Sequence, residues 1–449
     1  MNISGENIEA LRTQLNFTTR DFCDELEIDI NDYALFIREN DFNQFPANAA
    51  NKLTSIMLGE ERKNLLAYKD KFPKETEGYF ANIKILKHLE KLSKLEKSPD
   101  EVGPITVEFH PTNICNHACN ACTFGISNIG KDKKNTFDIE LLDDLITDLK
   151  KLEVKGIDIT GGGDPLCHKE IDKIISSFAE SFNVGLVTNG YELNKENDLE
   201  RKKELRKTIL SSCTWCRISV DAGSQEVYSI MHGDKPHIKF NDIVKKIEIL
   251  AKEKIAMESE TTLGISFLLT PYNFLDLIKS ISIFREIKGI DYFQVKPIVI
   301  SPFERSKEGI IFWDKRLFEL LTVIKSYETE SFKIFTLSYK FSDMLLSEDS
   351  GLPFTKCWGH PFYPTIAADG SILVCCHMLL NLLDNKKIGV YGKISKNEGF
   401  YELWNRHSRF EEGDNIHVRL CPCNCKLSET NKVLENFYGQ KIMHKNFIN

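Results

Sequence analysis

Nine of the thirteen cysteines fall in three short windows: Cys115, Cys119 and Cys122; then Cys357, Cys375 and Cys376; then Cys421, Cys423 and Cys425. Thiols gathered this closely in a reducing compartment are metal ligands, whereas disulfide frameworks belong to small secreted chains. A structural zinc site takes four ligands, usually in two pairs. Three thiolates at C-x3-C-x2-C spacing suit a cubane iron–sulfur cluster with one iron left open. His117, inside the first window, is the residue that would complete a four-ligand zinc site instead. Cys23, Cys167, Cys213 and Cys216 are scattered, and the C-x-x-C of the last two reads as entry to a strand.

These windows need a scaffold, and the chain is long enough to build one. Its 449 residues correspond to about three domains at roughly 150 residues each. Hydrophobic residues make up 42% and charged residues 28%, which excludes disordered and low-complexity classes. The net charge of -8 argues against a whole-chain grip on nucleic acid or on an anionic membrane. Residues 1–10 lack the basic and apolar regions of a signal peptide, and no apolar run is long enough to span a bilayer, so a cytoplasmic protein is expected.

From residue 105 onward, short alternating runs are followed by longer helical patterns. Strands are expected at 105–112, 156–161, 184–189, 214–221, 263–270 and 292–298. Helices are expected at 138–152, 170–180, 240–254 and 273–287, among others. Six strands alternating with helices indicate a parallel α/β sheet. Within the strands Val107 and Phe109 oppose Glu108 and His110, Ile218 and Val220 oppose Arg217, Ser219 and Asp221, and Val295 opposes Lys296. A doubly wound sheet is apolar on both faces. Here one face carries charge, as an incompletely closed barrel around a wet interior requires. Glu108, His110 and Lys296 are therefore candidate lining groups.

Residues 1–97 are expected to form a separate helical domain. Up to Met57 the rhythm is that of a small helix-turn-helix module, with Thr18 and Asp21 spaced as a capping box before Phe22 and Leu26. That stretch has four Lys or Arg against ten Asp or Glu, a net of -6 and the wrong sign for phosphate contacts. Residues 83–97 follow as a lysine-rich amphipathic helix, read as a solvated connector.

The segment His110-Pro111-Thr112-Asn113-Ile114-Cys115-Asn116-His117-Ala118-Cys119-Asn120-Ala121-Cys122 follows directly on the first expected strand. With this signature the chain resembles the radical S-adenosylmethionine (SAM) superfamily. Further matches come in that family's order: Gly161-Gly162-Gly163-Asp164-Pro165 after the second strand, Thr188-Asn189-Gly190 ending the third, and Arg217-Ile218-Ser219-Val220-Asp221-Ala222 as the fourth. The resemblance covers about residues 104–297. It implies a partial (β/α)6, TIM-like barrel and a 4Fe-4S cluster on Cys115, Cys119 and Cys122 that chelates SAM. One electron would then cleave SAM to a 5'-deoxyadenosyl radical. It further implies SAM contacts by Gly161, Gly162, Gly163, Asp164, Asn189, Arg217, Ser219 and Asp221, with His232 nearby. The family usually has Glu where Asp164 stands, and often an aromatic where Ala121 stands, so Phe124 is the candidate for stacking on adenine.

Cys357 is followed by twelve residues, Gly370, four residues and Cys375, with Asp369-Gly370 as a hairpin-turn signal. This pattern resembles the opening of the SPASM and Twitch auxiliary-cluster domains, and it divides the chain into 1–97, 98–345 and 346–449, the last a hairpin-plus-helix domain. The resemblance implies one auxiliary 4Fe-4S cluster on Cys357, Cys375 and two of Cys421, Cys423 and Cys425, with Cys421 and Cys425 preferred. The same four thiolates would also satisfy a zinc site. Cys376 should point away from Cys375 if the hairpin continues. It is either a hydrogen-atom donor or a buried small hydrophobe.

The implied activity is a radical SAM oxidoreductase acting on a ribosomal peptide or on a sugar or aminocyclitol. A one-electron reductant such as flavodoxin or ferredoxin would be its partner. The all-helical start lacks the strands of a winged-helix leader-binding domain. The alternative is a zinc-stabilised, non-enzymatic binding protein whose helix-turn-helix recruits a partner.

Overall fold

The computed structural model describes residues 9, 12–13, 17–39, 49, 84–98, 101–126, 129–130, 133–194, 198–233, 235, 237–298, 315–341, 354–406, 418, 421–422 and 424–439. The chain divides into two compact units, Met1–Phe72 with Ile310–Leu320, and Pro73–Gly309 with Leu321–Asn449. In the first, Thr18 caps the helix Thr19–Leu26 by accepting from Asp21 N at 3.2 Å, and Phe22 and Leu26 are buried. A second helix, Ile30–Glu39, follows after a left-handed Glu27.

Among the described residues the second unit is built on ten strands: β1 Thr106–Phe109, β2 Gly156–Ile159, β3 Asn183–Thr188, β4 Trp215–Ser219, β5 Thr262–Leu269, β6 Tyr292–Pro297, β7 Lys333–Phe335, β8 Thr365–Ile366, β9 Ser371–Leu373 and β10 Val390–Lys393. β1 to β7 pair in chain order, all parallel, so the six expected strands are joined by a seventh. The hairpin of β8 and β9 turns at Gly370, whose φ of 88° suits glycine. β8 pairs in parallel with β1, so the hairpin and β10 extend the same sheet.

The apolar strand faces pack under helices whose buried residues recur at three- and four-residue spacing. Leu142, Leu145 and Leu149 do so in the helix Leu142–Lys151, and Ile171, Ile174, Ile175 and Phe178 in Ile171–Ala179. Phe109 of β1 meets Phe137 and Phe178 edge-on, at 4.8 and 5.2 Å between ring centroids. The opposite face carries Thr106, Glu108, Asp158, Arg217, Gln294 and Lys296 into a cavity of about 710 Å³. This is the partial α/β barrel with a polar interior that the alternation indicates. Among the described residues no helix is long and apolar enough to cross a membrane.

The lysine-rich segment differs from expectation. Its helix, Leu89–Lys97, buries Leu92 and Leu95 against Ile105, Phe362 and Leu434. Lys91 is itself buried and donates to the carbonyls of Gly103, Pro104 and Leu152 at 3.1, 2.7 and 3.0 Å. Three carbonyl acceptors compensate the desolvation of one ammonium, so this lysine is a structural plug and not part of a solvated face.

Candidate functional site

The cysteine loop leaves the C-terminal end of β1 and is held from two sides. On one side, Asn113 N donates to Asn135 O at 2.8 Å, Asn113 Nδ2 to Lys133 O at 3.1 Å, and Ile114 N to Thr112 Oγ1 at 3.0 Å. On the other, Ala118 N and Asn120 N each donate to the end of the helix Gln225–His232, at His232 O and Met231 O, both at 3.0 Å. His117 lies 2.6 Å from Asn116 Oδ1 through Nδ1 and 2.9 Å from Tyr228 Oη through Nε2. Both its nitrogens are engaged within the fold. Cys115, Cys119 and Cys122 are all half-buried.

His232 lies beside the loop. Its Nε2 lies 2.7 Å from Val220 O, and a carbonyl only accepts, so the ring hydrogen sits there. In the neutral ring Nδ1 then faces Cys119 Sγ at 3.1 Å as an acceptor.

The glycine run serves the cysteine loop. Gly163 N donates to Thr112 O and Asp164 N to Ile114 O, both at 3.0 Å. A Cβ on Gly162 would stand 2.3 Å from Asn113 Oδ1, and one on Gly163 would stand 2.1 Å from Ile114 O. Replacing Gly163 with Ala should therefore push the two loops apart, lowering stability by about 2 kcal/mol. Thermal unfolding together with iron retention after reconstitution would measure both effects.

Asp164 is engaged inside the chain. Its Oδ1 accepts from Leu166 N and Thr188 Oγ1, both at 3.0 Å, and its Oδ2 from Asn189 N at 2.7 Å and the same hydroxyl at 2.9 Å. These donors use the principal acceptor sites of the carboxylate. Asp164 thereby ties the ends of β2 and β3 together. Asn189 Nδ2 in turn donates to Asn116 Oδ1 at 2.8 Å and lies 3.9 Å from Cys115 Sγ. On β4, Arg217 lines the cavity and donates to Gln294 Oε1 at 3.1 Å. Ser219, half-buried, pairs with Ser266. Asp221, just beyond, takes a left-handed φ of 56° and accepts from Leu268 N at 2.6 Å. Phe124 lines the cavity, with its ring 5.9 Å from that of His110.

At the other end of the sheet, the thiols of Cys357, Cys375, Cys421 and Cys425 are close enough to act on one another. Burial and then Cys425 push the Cys357 thiol up to about 11, and burial, Cys376, Cys425, Cys421 and Cys357 raise that of Cys375. Cys423 lies outside the described residues. Every described cysteine is free. Among the described residues no three His, Cys, Asp or Glu side chains converge as ligands of one metal ion. A cubane spreads its thiolates over separate irons, and a loop of three neighbouring thiols has the donor chemistry such a cluster takes. Cys376 faces the cavity while Cys375 does not line it. The separation arises from a 3-10 turn, Cys376–Met378, because the strand ends at Leu373.

Sequence reasoning missed Asp158, Lys340, Tyr363, His377 and Lys426 in the same cavity. Strand alternation marks Asp158, opposite Ile157 and Ile159. Lys340 arrives on a single helical turn at 338–341, and the others on turns and tail segments, with no period to read.

An open parallel α/β barrel with a three-thiol loop on its first strand end and a polar interior is the class of structure these residues define. Residues 109–280 match the family model of the radical SAM superfamily. Over 133 residues the chain is 27% identical to "Mycofactocin maturase MftC" of Mycobacterium ulcerans, a match covering 29% of this chain and 33% of that protein. The chain thus spans about a third of that relative's length. Among solved structures it is similar to Streptococcus suis SuiB bound to the precursor peptide SuiA, with a TM-score of 0.51, 14% identity, and coverage of 88% of this chain and 83% of that one. It also matches anSMEcpe with bound AdoMet, with a TM-score of 0.46, 16% identity, and coverage of 71% and 88%.

Proposed function

We propose that the chain is a radical SAM enzyme that cleaves SAM reductively at a 4Fe-4S cluster on Cys115, Cys119 and Cys122. It abstracts hydrogen from a substrate held in the barrel, and the outcome is dehydrogenation, epimerisation or bond formation. The observation that carries this reading is continuity: Thr123 and Phe124, directly after Cys122, form part of the cavity wall. A cofactor on the thiol loop would therefore face a chamber large enough for a substrate. When bound, the cluster and SAM supply one-electron cleavage and a 5'-deoxyadenosyl group that takes the hydrogen atom. The chain's own share is placement. Asp164, Asn189 and the helix Gln225–His232 fix the loop, Gly161 to Gly163 let it seat closely, and the barrel wall excludes water. Arg217, Ser219, Asp221 and Phe124 are the SAM contacts in this reading.

Cys376 is the candidate hydrogen-atom donor. Burial and the neighbouring Glu108 push its thiol up to about 12, so at neutral pH it keeps the S–H that such a role needs. An auxiliary 4Fe-4S cluster is assigned to Cys357, Cys375, Cys421 and Cys425, in a domain of SPASM/Twitch type spanning 346–449. A ribosomal peptide is the favoured substrate, because SuiB shares the fold and is described with a precursor peptide, and MftC is described as a maturase. Flavodoxin or ferredoxin would supply the electron.

Iron and sulfide counts test the two-cluster reading. Anaerobic reconstitution should load about eight irons per chain, and replacing Cys357 and Cys375 with Ala should leave about four. A colourless protein containing zinc would instead support a binding module.

A further inference from the structure

The barrel cavity is cationic in a chain whose net charge is -8. Among the described residues, six Lys and Arg side chains line it against two carboxylates, Glu108 and Asp158. Both carboxylates are already engaged: Glu108 with Lys426 and with His110 Nε2 at 2.9 Å, and Asp158 as acceptor from the Tyr363 hydroxyl. The two carboxylates therefore offset only part of the positive charge, Glu108 that of Lys426 and Asp158 that felt from Lys426 and Arg217.

Lys296, near the end of β6, is the sharpest case. Its ammonium makes no hydrogen bond or ion pair among the described residues. The charged groups that act on it come from several elements. Arg217 on β4, Lys340 after β7 and Lys426 in the tail oppose its charge, and Asp221 beyond β4 supports it. Burial and these like charges push the ammonium down to about 7. A partly buried amine among cations is costly, and an anion bound beside it relieves that cost.

We propose that the molecule entering the barrel is an anionic peptide segment, and that Lys296, with Lys340 beside it, receives its carboxylate. The proposal rests on the reading above in taking this cavity as the substrate chamber. It also separates the two substrate classes considered, since an aminocyclitol brings an ammonium into a chamber that repels one.

The test uses the reconstituted holoenzyme and two probes, acetyl-pentaglutamate amide and acetyl-pentalysine amide, followed by calorimetry at pH 6. The glutamate peptide should bind at least tenfold more tightly than the lysine peptide. Its affinity should fall at least tenfold in Lys296→Met, be largely kept in Lys296→Arg, and weaken in wild type as pH rises from 6 to 9. The sign follows because only the charged amine attracts the carboxylate, and a bound anion raises the amine's pKa, moving the loss above 7. Lys340→Met gives a second reading should Lys296→Met misfold. Equal affinity for the two peptides, or unchanged glutamate-peptide affinity in both Met variants, overturns the proposal. So does a loss of SAM affinity alone in Lys296→Met, which would assign the amine to the SAM carboxylate. Failure of the underlying enzyme reading shows separately, as absence of 5'-deoxyadenosine from the wild type.

Discussion

Replacing Cys115, Cys119 and Cys122 together with Ala should end 5'-deoxyadenosine formation and lower iron from about eight to about four per chain. The fold should survive. The loop is held by backbone bonds from Ala118 and Asn120 to the helix Gln225–His232 and from Gly163 and Asp164 to the loop's own carbonyls, none of which needs a thiol. Circular dichroism of the apo forms should overlay, which separates loss of the cluster from loss of structure. Retained SAM cleavage in the triple variant would remove the thiol loop from the chemistry altogether.

The second large effect is expected at Glu108. Its side chain is 4% exposed and is paired with Lys426, which is 31% exposed, and with His110 at 0%. Burial alone would raise the carboxyl, but Lys426 and His110 outweigh it and hold Glu108 at about 2, below the ordinary 4.5. A depressed carboxylate adds stability above its unfolded pKa and loses it as pH falls toward the folded one, so this contribution should fade between about pH 4.5 and 2. Glu108→Gln leaves Lys426 facing a neutral amide in a cationic chamber. The expected cost is about 2–3 kcal/mol, below the 3–5 of a fully buried pair because Lys426 keeps some solvent. Denaturant unfolding at pH 7 measures that loss. The same variant should show a shallower fall in stability between pH 4.5 and 2, a signature that mere loosening of the core would not produce.

Much of the barrel is legible in the sequence because its strands are half-polar. Val107 and Phe109 beside Glu108, or Val295 beside Lys296, set a period of two that tells face from face, and the six expected strands lie within one to three residues of those observed. β7, three residues long, is too short to show a period. The attachment of β8 to β1 is a long-range pairing that neither segment announces locally. The site divides in the same way. The thiols are visible as types at a spacing, but partners are not: Asp164 is chemically suited to an ammonium, yet it finds the Thr188 hydroxyl and two backbone donors. Lys91, one lysine among many on an amphipathic helix, becomes a buried plug because three carbonyls from distant segments meet it there.

Reductive cleavage of SAM at the three-thiol loop is tested by chromatographic detection of 5'-deoxyadenosine after the anaerobically reconstituted wild-type protein is reduced with dithionite in the presence of SAM. The expected result is a brown protein that releases 5'-deoxyadenosine and methionine. A protein that binds iron yet leaves SAM intact under reduction, or that takes up zinc and remains colourless, would contradict it.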